Sequence, residues 1–526
     1  MSNRTARRCR CRRLLPALLL VCLACMAPAM AGSSRSSSTA TAPVISATPT
    51  TDAGWAMLEE ILSNEAQRIV ETMPLIDGQK MHGPIKVKID PIEKKMTLLL
   101  SKDYLADGTG AAFEDIVSYV GSAIVSTAAP AIELNGWDTL VEGRPLSYYF
   151  PEDYARASLR SSSSANSSVA VFGGHGWYYH YNFKDWRAQR DPSNGILEDE
   201  ITTEYSRRLE KMLRDSYRAQ VFEPRGHSTD IHTPSGQPWW RLATRYWLKR
   251  ALPNRPDIWH SLPGSASPLR ERNEDIRSRP LYANEVKADT TIHLHTNAHI
   301  DTRTRGTGVL YHAGRSRDEN LARNILCYMD EYIHIRSAYK DWIVPANPTP
   351  RMDLGENKLA DMPSVIVELG FHTNPDDARA LQDAVFQEGA TAGIAKGWYL
   401  YTQGMGCKKM KILHIPDVEA LYGEHQQIKV EYEGIPLSMI QVISSIKNCP
   451  ANAPCRGFNG GGPKDGPVTL DISCPIPDLK EPLVLDVETK LMDFSGGSAP
   501  LYHHKVKCMP GGAEGPGPWR GLARRR

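Results

Sequence analysis

The hydrophobic pattern changes character along the chain. Trp55, Leu58, Ile61 and Leu62 recur at helical spacing behind a capping Thr51 or Asp52. Strand-like runs over 85–89 and 96–100 follow, then a second helix over 113–125. From residue 168 to about 404, strand and helix patterns alternate. Strands are expected over 168–172, 219–223, 290–296, 308–312 and 364–368, and helices over 200–214, 317–333 and 376–401. Such alternation predicts an α/β fold with a central, mainly parallel sheet flanked by helices. Val365-Ile366-Val367 is apolar without alternation, the mark of a strand covered on both faces, and belongs in the sheet centre. Ile201, Tyr205, Leu209, Met212 and Leu213 form one buried helical stripe. Beyond Cys407, short pieces over 427–432, 468–472 and 483–487, broken by Gly/Pro-rich turns, predict a small β-rich, sandwich-like module.

These changes divide the chain. Residues 51–157 form a small α+β module, 168–404 the main α/β domain and 405–510 the β module, while 32–50 reads as a flexible linker and 511–526 as a disordered basic tail. At the start, six arginines between Arg4 and Arg13 precede an apolar run over 14–25 and then Ala29-Met30-Ala31, the pattern of a signal peptide over 1–31. The run is too short to span a bilayer, and no later stretch reaches about 20 apolar residues, so a soluble, exported protein is expected, periplasmic or secreted. A lipid anchor on Cys22 or Cys25 is the rival reading, disfavoured by bulky Cys22 and Leu23 before Cys25.

Composition adds little on partners. With 62 basic and 60 acidic residues the net charge is +2, and no overall field draws the chain to nucleic acid. Beyond the signal, six cysteines remain, and Cys407, Cys449, Cys455, Cys474 and Cys508 cluster at the end of the chain. Clustering in an exported protein points to disulfides, and no C-x-x-C pair among these five suggests a metal. Sequence leaves their pairing open.

Candidate chemistry lies in the middle domain, where four residues able to bind metal stand at strand ends and a helix start. His175 follows a strand in Gly173-Gly174-His175-Gly176, Glu198 precedes a helix, His295 ends a strand in His293-Leu294-His295-Thr296-Asn297, and Glu368 ends Val365-Ile366-Val367-Glu368. Each has a plain structural alternative. A His among glycines is usually a turn residue, and a Glu before a helix usually serves the helix N-terminus, with Glu200 a nearby competitor. Glu368 has the strongest single case, because a carboxylate ending an apolar strand is costly to bury unpartnered.

Taken in order, these segments resemble the zinc-dependent N-acetylmuramoyl-L-alanine amidases of the Amidase_3 family. Gly-His175-Gly opens the pattern, and Glu198 leads an amphipathic helix with Leu209 and Leu213. Arg279 or Arg277 with Ala283-Asn284 precedes His295-Thr296-Asn297, Gly308 to Tyr311 follows, and Pro363, Glu368-Leu369-Gly370-Phe371 and Asn374 close it. The resemblance implies His175, Glu198 and His295 as ligands of Zn2+, Glu368 as catalytic carboxylate and peptidoglycan as substrate; an activator protein is a further candidate partner. Two imidazoles and a carboxylate suit a catalytic zinc that keeps one position open for water. Residues 51–157 are similar to GerMN-type domains of envelope proteins through Leu98-Leu99-Leu100-Ser101, Tyr104 and Ile132 to Gly136, which implies a binding or spacer module.

Departures from the family pattern bear on the substrate. His293 stands where a small Ser is usual, on the same strand face as His295, and can line the site, bond a carboxylate behind the ligands, or compete as ligand. His293, Asn297 and Trp177 are the candidate substrate contacts, Trp177 opening the aromatic run Trp177-Tyr178-Tyr179. The segment 226–274 is an insertion that reads as a lid or groove wall, an autoinhibitory plug, or a structural flap. The competing functions are a non-catalytic peptidoglycan-binding envelope protein and a zinc peptidase acting on another amide.

Overall fold

The computed structural model describes residues 47–154, 167–451, 453 and 455–512. The signal peptide, most of the 32–50 linker and the tail from 513 lie outside the described residues. The polar stretch before Ser167 lies outside them too.

Helix Asp52–Val70 is capped by Thr51 Oγ1, which accepts from Gly54 N–H at 3.1 Å. It and helix Ala111–Ala128 cover a four-stranded sheet whose strands Ile85–Asp90 and Lys95–Leu100 alternate buried and more exposed positions. Ile85, Val87, Met96, Leu98 and Leu100 therefore share one face, where they meet Leu62, Ile69, Phe113 and Val120 in a single core.

The middle region holds a six-stranded sheet. From one edge to the other its strands are Thr349–Arg351, Gly308–His312, Ser364–Phe371, Thr290–Asn297, Ser168–Gly173 and Gln220–Phe222. The last four are mutually parallel, and the first two run against them. The strand expected over 364–368 runs as Ser364–Phe371 inside the sheet, with two strands on one side and three on the other, and its Val365 and Val367 are fully buried. Alternation sorts the two faces. Val169, Val171, Ile292, Leu294, Val365 and Val367 point into the larger core with helices Glu198–Tyr217, Ser316–His334 and Ala384–Thr402. Ala170 and Phe172 point the other way, toward Ala283 on helix Arg270–Glu285. His293, His295 and Glu368 fall on this second face by the same alternation.

Three local expectations change. The helix foreseen over 376–401 is two helices, Pro375–Gln382 and Ala384–Thr402, because Asp383 leaves helical geometry and caps the second, accepting from Val385 N–H at 2.9 Å. The strand foreseen over 427–432 breaks at Val430, whose N–H turns to Val468 O at 2.9 Å. The last strand, Tyr502–Gly512, runs two residues into the segment expected as tail. The C-terminal region is β-rich as expected. Its main sheet has seven strands, and a bridge between Tyr422 and Cys474 draws the two edges together into a near-barrel.

The cysteines pair as Cys327–Cys407, Cys449–Cys455 and Cys474–Cys508, the first tying helix Ser316–His334 to the start of the β-rich region. Among the described residues no helix is long and apolar enough to cross a membrane.

Helices Ala384–Thr402 and Ser316–His334 approach closely because Gly393 and Gly397 lie between them. A Cβ at Gly393 would stand 2.5 Å from Met329 Cα, and one at Gly397 2.6 Å from Ile325 Cα. Backbone must then move, so Gly393→Ala is expected to cost about 1–3 kcal/mol. Denaturant unfolding of the full chain measures it, and an unchanged midpoint would show that the helices part freely.

Candidate metal centre

Strand Ser168–Gly173 ends in a turn that only this residue order permits. A Cβ on Gly174 would lie 2.5 Å from the His295 ring, and Gly176 adopts φ +133° with Ala243 backbone 2.6 Å from where its Cβ would be. Between them His175 itself sits at φ +62°, a conformation few non-glycine residues adopt. The turn is fixed by Asp199, whose Oδ1 accepts from Gly176 N–H at 2.9 Å and Gln189 N–H at 2.7 Å.

Three of the four sequence candidates converge. His295 Nδ1 lies 3.1 Å from His175 Nε2 and 3.2 Å from Glu198 Oε1, and His175 Nε2 lies 3.3 Å from Glu198 Oε1. All three side chains are buried. Glu198 opens helix Glu198–Tyr217, and its Oε1 also accepts from Thr296 N–H at 2.9 Å. Glu200 points elsewhere and pairs with Arg241 at 2.7 Å, which settles the competition between the two glutamates for a place beside the histidines.

Each imidazole is oriented from behind. Gln189 Oε1 accepts from His175 Nδ1 at 3.2 Å, so its Nε2 faces the cluster as an acceptor. Glu356 accepts from His295 Nε2 at 3.0 and 3.2 Å, which leaves Nδ1 as the free donor atom. Glu356 is in turn met by Arg279 Nη2 at 2.5 Å, a charge contact rather than an aligned hydrogen bond. Glu356 and Gln189 were not foreseen. The signal for Glu356 was His293, a second buried histidine that calls for an acidic neighbour.

His293 is fully buried, stacked on Phe172 with centroids 5.1 Å apart, and its Nδ1 lies 3.8 Å from Glu356 Oε2. It faces the carboxylate behind His295 without hydrogen-bonding it, and its Nε2 lies 3.3 Å from Thr291 Oγ1. Asn297 ends its strand with Oδ1 accepting from Ala298 N–H at 2.8 Å. Trp177 is partly buried and exchanges backbone hydrogen bonds with Arg241 and Ala243 of the 226–274 insertion. Arg279, rather than Arg277, is the arginine at the centre; Arg277 pairs with Asp153 at 3.3 Å.

Glu368 lies directly beside His295 in the parallel register of their strands. Its Oε2 is buried with no hydrogen-bond partner among the described residues, and burial pushes its carboxyl up to about 7. The other groups polarise differently. Burial lowers His175 to about 4, and burial lowers His293 to about 3. For His295, burial acts to lower the pKa, but Glu356 and Glu198 outweigh it and raise it to about 10. Burial likewise opposes ionisation of Glu198, yet His175, His295 and Arg190 hold it well below the usual carboxylate range. Positive charge is thus strongly favoured between Glu198 and His295.

The donor set fits a zinc ion. Bonds of 2.0–2.1 Å in tetrahedral geometry separate neighbouring donors by about 3.3–3.4 Å. The observed edges of 3.1, 3.2 and 3.3 Å match such a face.

Residues 174–398 match the Amidase_3 family, described as N-acetylmuramoyl-L-alanine amidase. The matched segment carries all four candidate residues, His175, Glu198, His295 and Glu368. Its match spans less than half of the 526 residues. Among solved structures, the chain is similar to an N-acetylmuramoyl-L-alanine amidase from Clostridium difficile 630, at 16% identity and TM-score 0.32, over 46% of this chain and 100% of that one. An N-acetylmuramoyl-L-alanine amidase of Nostoc punctiforme matches at 17% identity and TM-score 0.31, over 46% and 99%. The CwlD amidase from Clostridioides difficile, solved in complex with the GerS lipoprotein, matches at 17% and TM-score 0.31, over 45% and 100%. No curated protein sequence matches the chain.

The insertion is built into the middle region through Arg225, a fully buried residue that sequence reasoning passed over. Its guanidinium donates to Asp199 O at 2.6 Å, Trp240 O at 3.0 Å, Arg241 O at 3.2 Å and Gly174 O at 3.4 Å. Leu242, Ala243 and Tyr246 then close a small core over Tyr178.

Arg279 is the cation that this domain cannot lose cheaply. It is completely buried, with Glu356 at 2.5 Å and Asp275 at 3.8 Å. Arg279→Met leaves two buried carboxylates without their counter-charge, and a loss of about 3–5 kcal/mol is expected. Equilibrium unfolding measures this, and a loss under about 1 kcal/mol would contradict the assigned role.

Proposed function

We propose that the chain is a zinc-dependent amidase that hydrolyses the bond between N-acetylmuramic acid and L-alanine in peptidoglycan. His175, Glu198 and His295 hold the ion and Glu368 is the catalytic carboxylate. The observation that carries this reading is the triangle of inward-facing donors, 3.1 to 3.3 Å on edge, with Glu368 next to it in register.

When bound, zinc supplies Lewis-acid polarisation of the scissile carbonyl and brings the pKa of water from 15.7 toward 7. The chain's own residues do the rest. Glu356 and Gln189 each bind one nitrogen of a histidine and so turn the other, Nδ1 of His295 and Nε2 of His175, toward the ion; at His295 the metal would take the place of the second proton. Glu368, at about 7, is suited both to take a proton from the attacking water and to return it to the leaving amine of L-alanine near neutral pH. His293 serves as packing behind the centre, since it has no surface exposed to substrate. Trp177 and Asn297 are the substrate contacts of this reading, and the insertion over 226–274 packs beside Trp177. Because the substrate is cell wall, the reading includes export, with 51–157, 168–404 and 405–510 as three modules of the mature enzyme. A protein activator belongs to the same reading; the CwlD amidase with its lipoprotein offers a precedent.

Purified sacculi test it. Wild-type protein should release newly exposed L-alanine amino termini, a chelator should stop this, and added zinc should restore it. Glu368→Ala should keep the metal while losing about 100- to 10,000-fold in rate. Hydrolysis that survives full metal removal, or products with other ends, would overturn the proposal.

A further inference from the structure

We infer that the N-terminal module braces the metal centre through two consecutive carboxylates, one of which reaches His295 by way of Gly355 and Glu356 and the other Glu198 by way of Arg190. This rests on His175, Glu198 and His295 being ligands, as proposed above. The carboxylates are Glu114 and Asp115, in the first turns of helix Ala111–Ala128.

Glu114 packs half-buried against the short helix Gly355–Lys358, and its Oε1 accepts from Gly355 N–H at 2.8 Å. The next residue, Glu356, is the one that grips His295 Nε2. The far end of that turn is tied to the same module, because Lys358 Nζ donates to Thr109 Oγ1 at 2.8 Å. Asp115 works on the opposite side. Its carboxylate holds Arg190 at 3.0 Å and Arg272 at 2.6 Å, and Arg190 Nε lies 3.5 Å from Glu198 Oε2. One turn of one helix is therefore coupled to His295 through Glu356 and to Glu198 through Arg190.

A seam that served only to dock two modules would have no reason to end one contact on the residue beside Glu356 and the other on Arg190, the two groups that meet His295 and Glu198. The structure also supplies an internal control. Asp107, in the same seam, accepts from Ser267 Oγ at 2.9 Å and Asn273 Nδ2 at 3.0 Å, and neither contact leads to a ligand. Docking and bracing can thus be separated by substitution.

The test uses the full chain, with zinc affinity read by chelator competition and ligand geometry by the visible spectrum of the Co(II)-loaded protein. Glu114→Ala and Asp115→Ala should each weaken zinc binding by about 10- to 100-fold, as loss of groups supporting metal ligands does, and shift the spectrum. Glu114→Gln, which retains an acceptor for Gly355 N–H, should bind like wild type, and so should Asp107→Ala. Should Glu114→Ala not fold, the more exposed Asp115 carries the test. Equal weakening by Asp107→Ala, or wild-type binding by Glu114→Ala and Asp115→Ala, overturns the brace alone. A wild-type chain that binds no zinc overturns the metal reading and the brace with it.

Discussion

The grip of two carboxylates on one imidazole organises the centre. His295 is buried with Glu198 at one nitrogen and Glu356 at the other, and burial alone would drive charge out of it. The acids reverse that balance. Keeping three such groups together requires Arg279 to neutralise Glu356, Gly174 to let the ring approach the preceding strand, and the parallel register that sets His295 beside Glu368. Much of the surrounding sequence serves this one buried arrangement. Removing any partner leaves a charge in a low-dielectric setting, which is why the network has no spare member.

The flanking structure extends the same logic outward. Arg225 donates four hydrogen bonds to backbone carbonyls that belong to the His175 turn, to the start of the Glu198 helix and to the insertion. It makes the insertion part of the scaffold, with a small core of its own around Tyr178, Leu242 and Tyr246. On the other side, Glu114 and Asp115 bring a separate module onto Gly355, next to Glu356, and onto Arg190. The centre is enclosed by segments distant in sequence, and each is anchored by a charged group that has its partner.

What sequence made legible follows from periodicity and chain order. The main strands and the helix stripe of Tyr205, Leu209 and Leu213 were readable because each pattern is local. His175, Glu198, His295 and Glu368 were readable because they stand at strand ends and a helix start, where α/β sheets build sites. Glu356, Gln189 and Arg225 were not, since a polar residue in a short connection carries no periodic mark and its role depends on which strand end it reaches. The split at Asp383 was missed for a related reason: apolar spacing continues across it, and only the cap chemistry marks the break. The single curled sheet of the C-terminal region depends on pairing between distant strands, which alternation within a strand does not report.

The central claim is that these three donors form a metal site, and a zinc-loaded crystal measured across the zinc absorption edge addresses it directly. The account predicts one anomalous peak, about 2.0–2.2 Å from His175 Nε2, a Glu198 carboxylate oxygen and His295 Nδ1, with Glu356 still on His295 Nε2. An ion bound elsewhere, or a His295 that binds it through Nε2 with Glu356 displaced, would contradict the account.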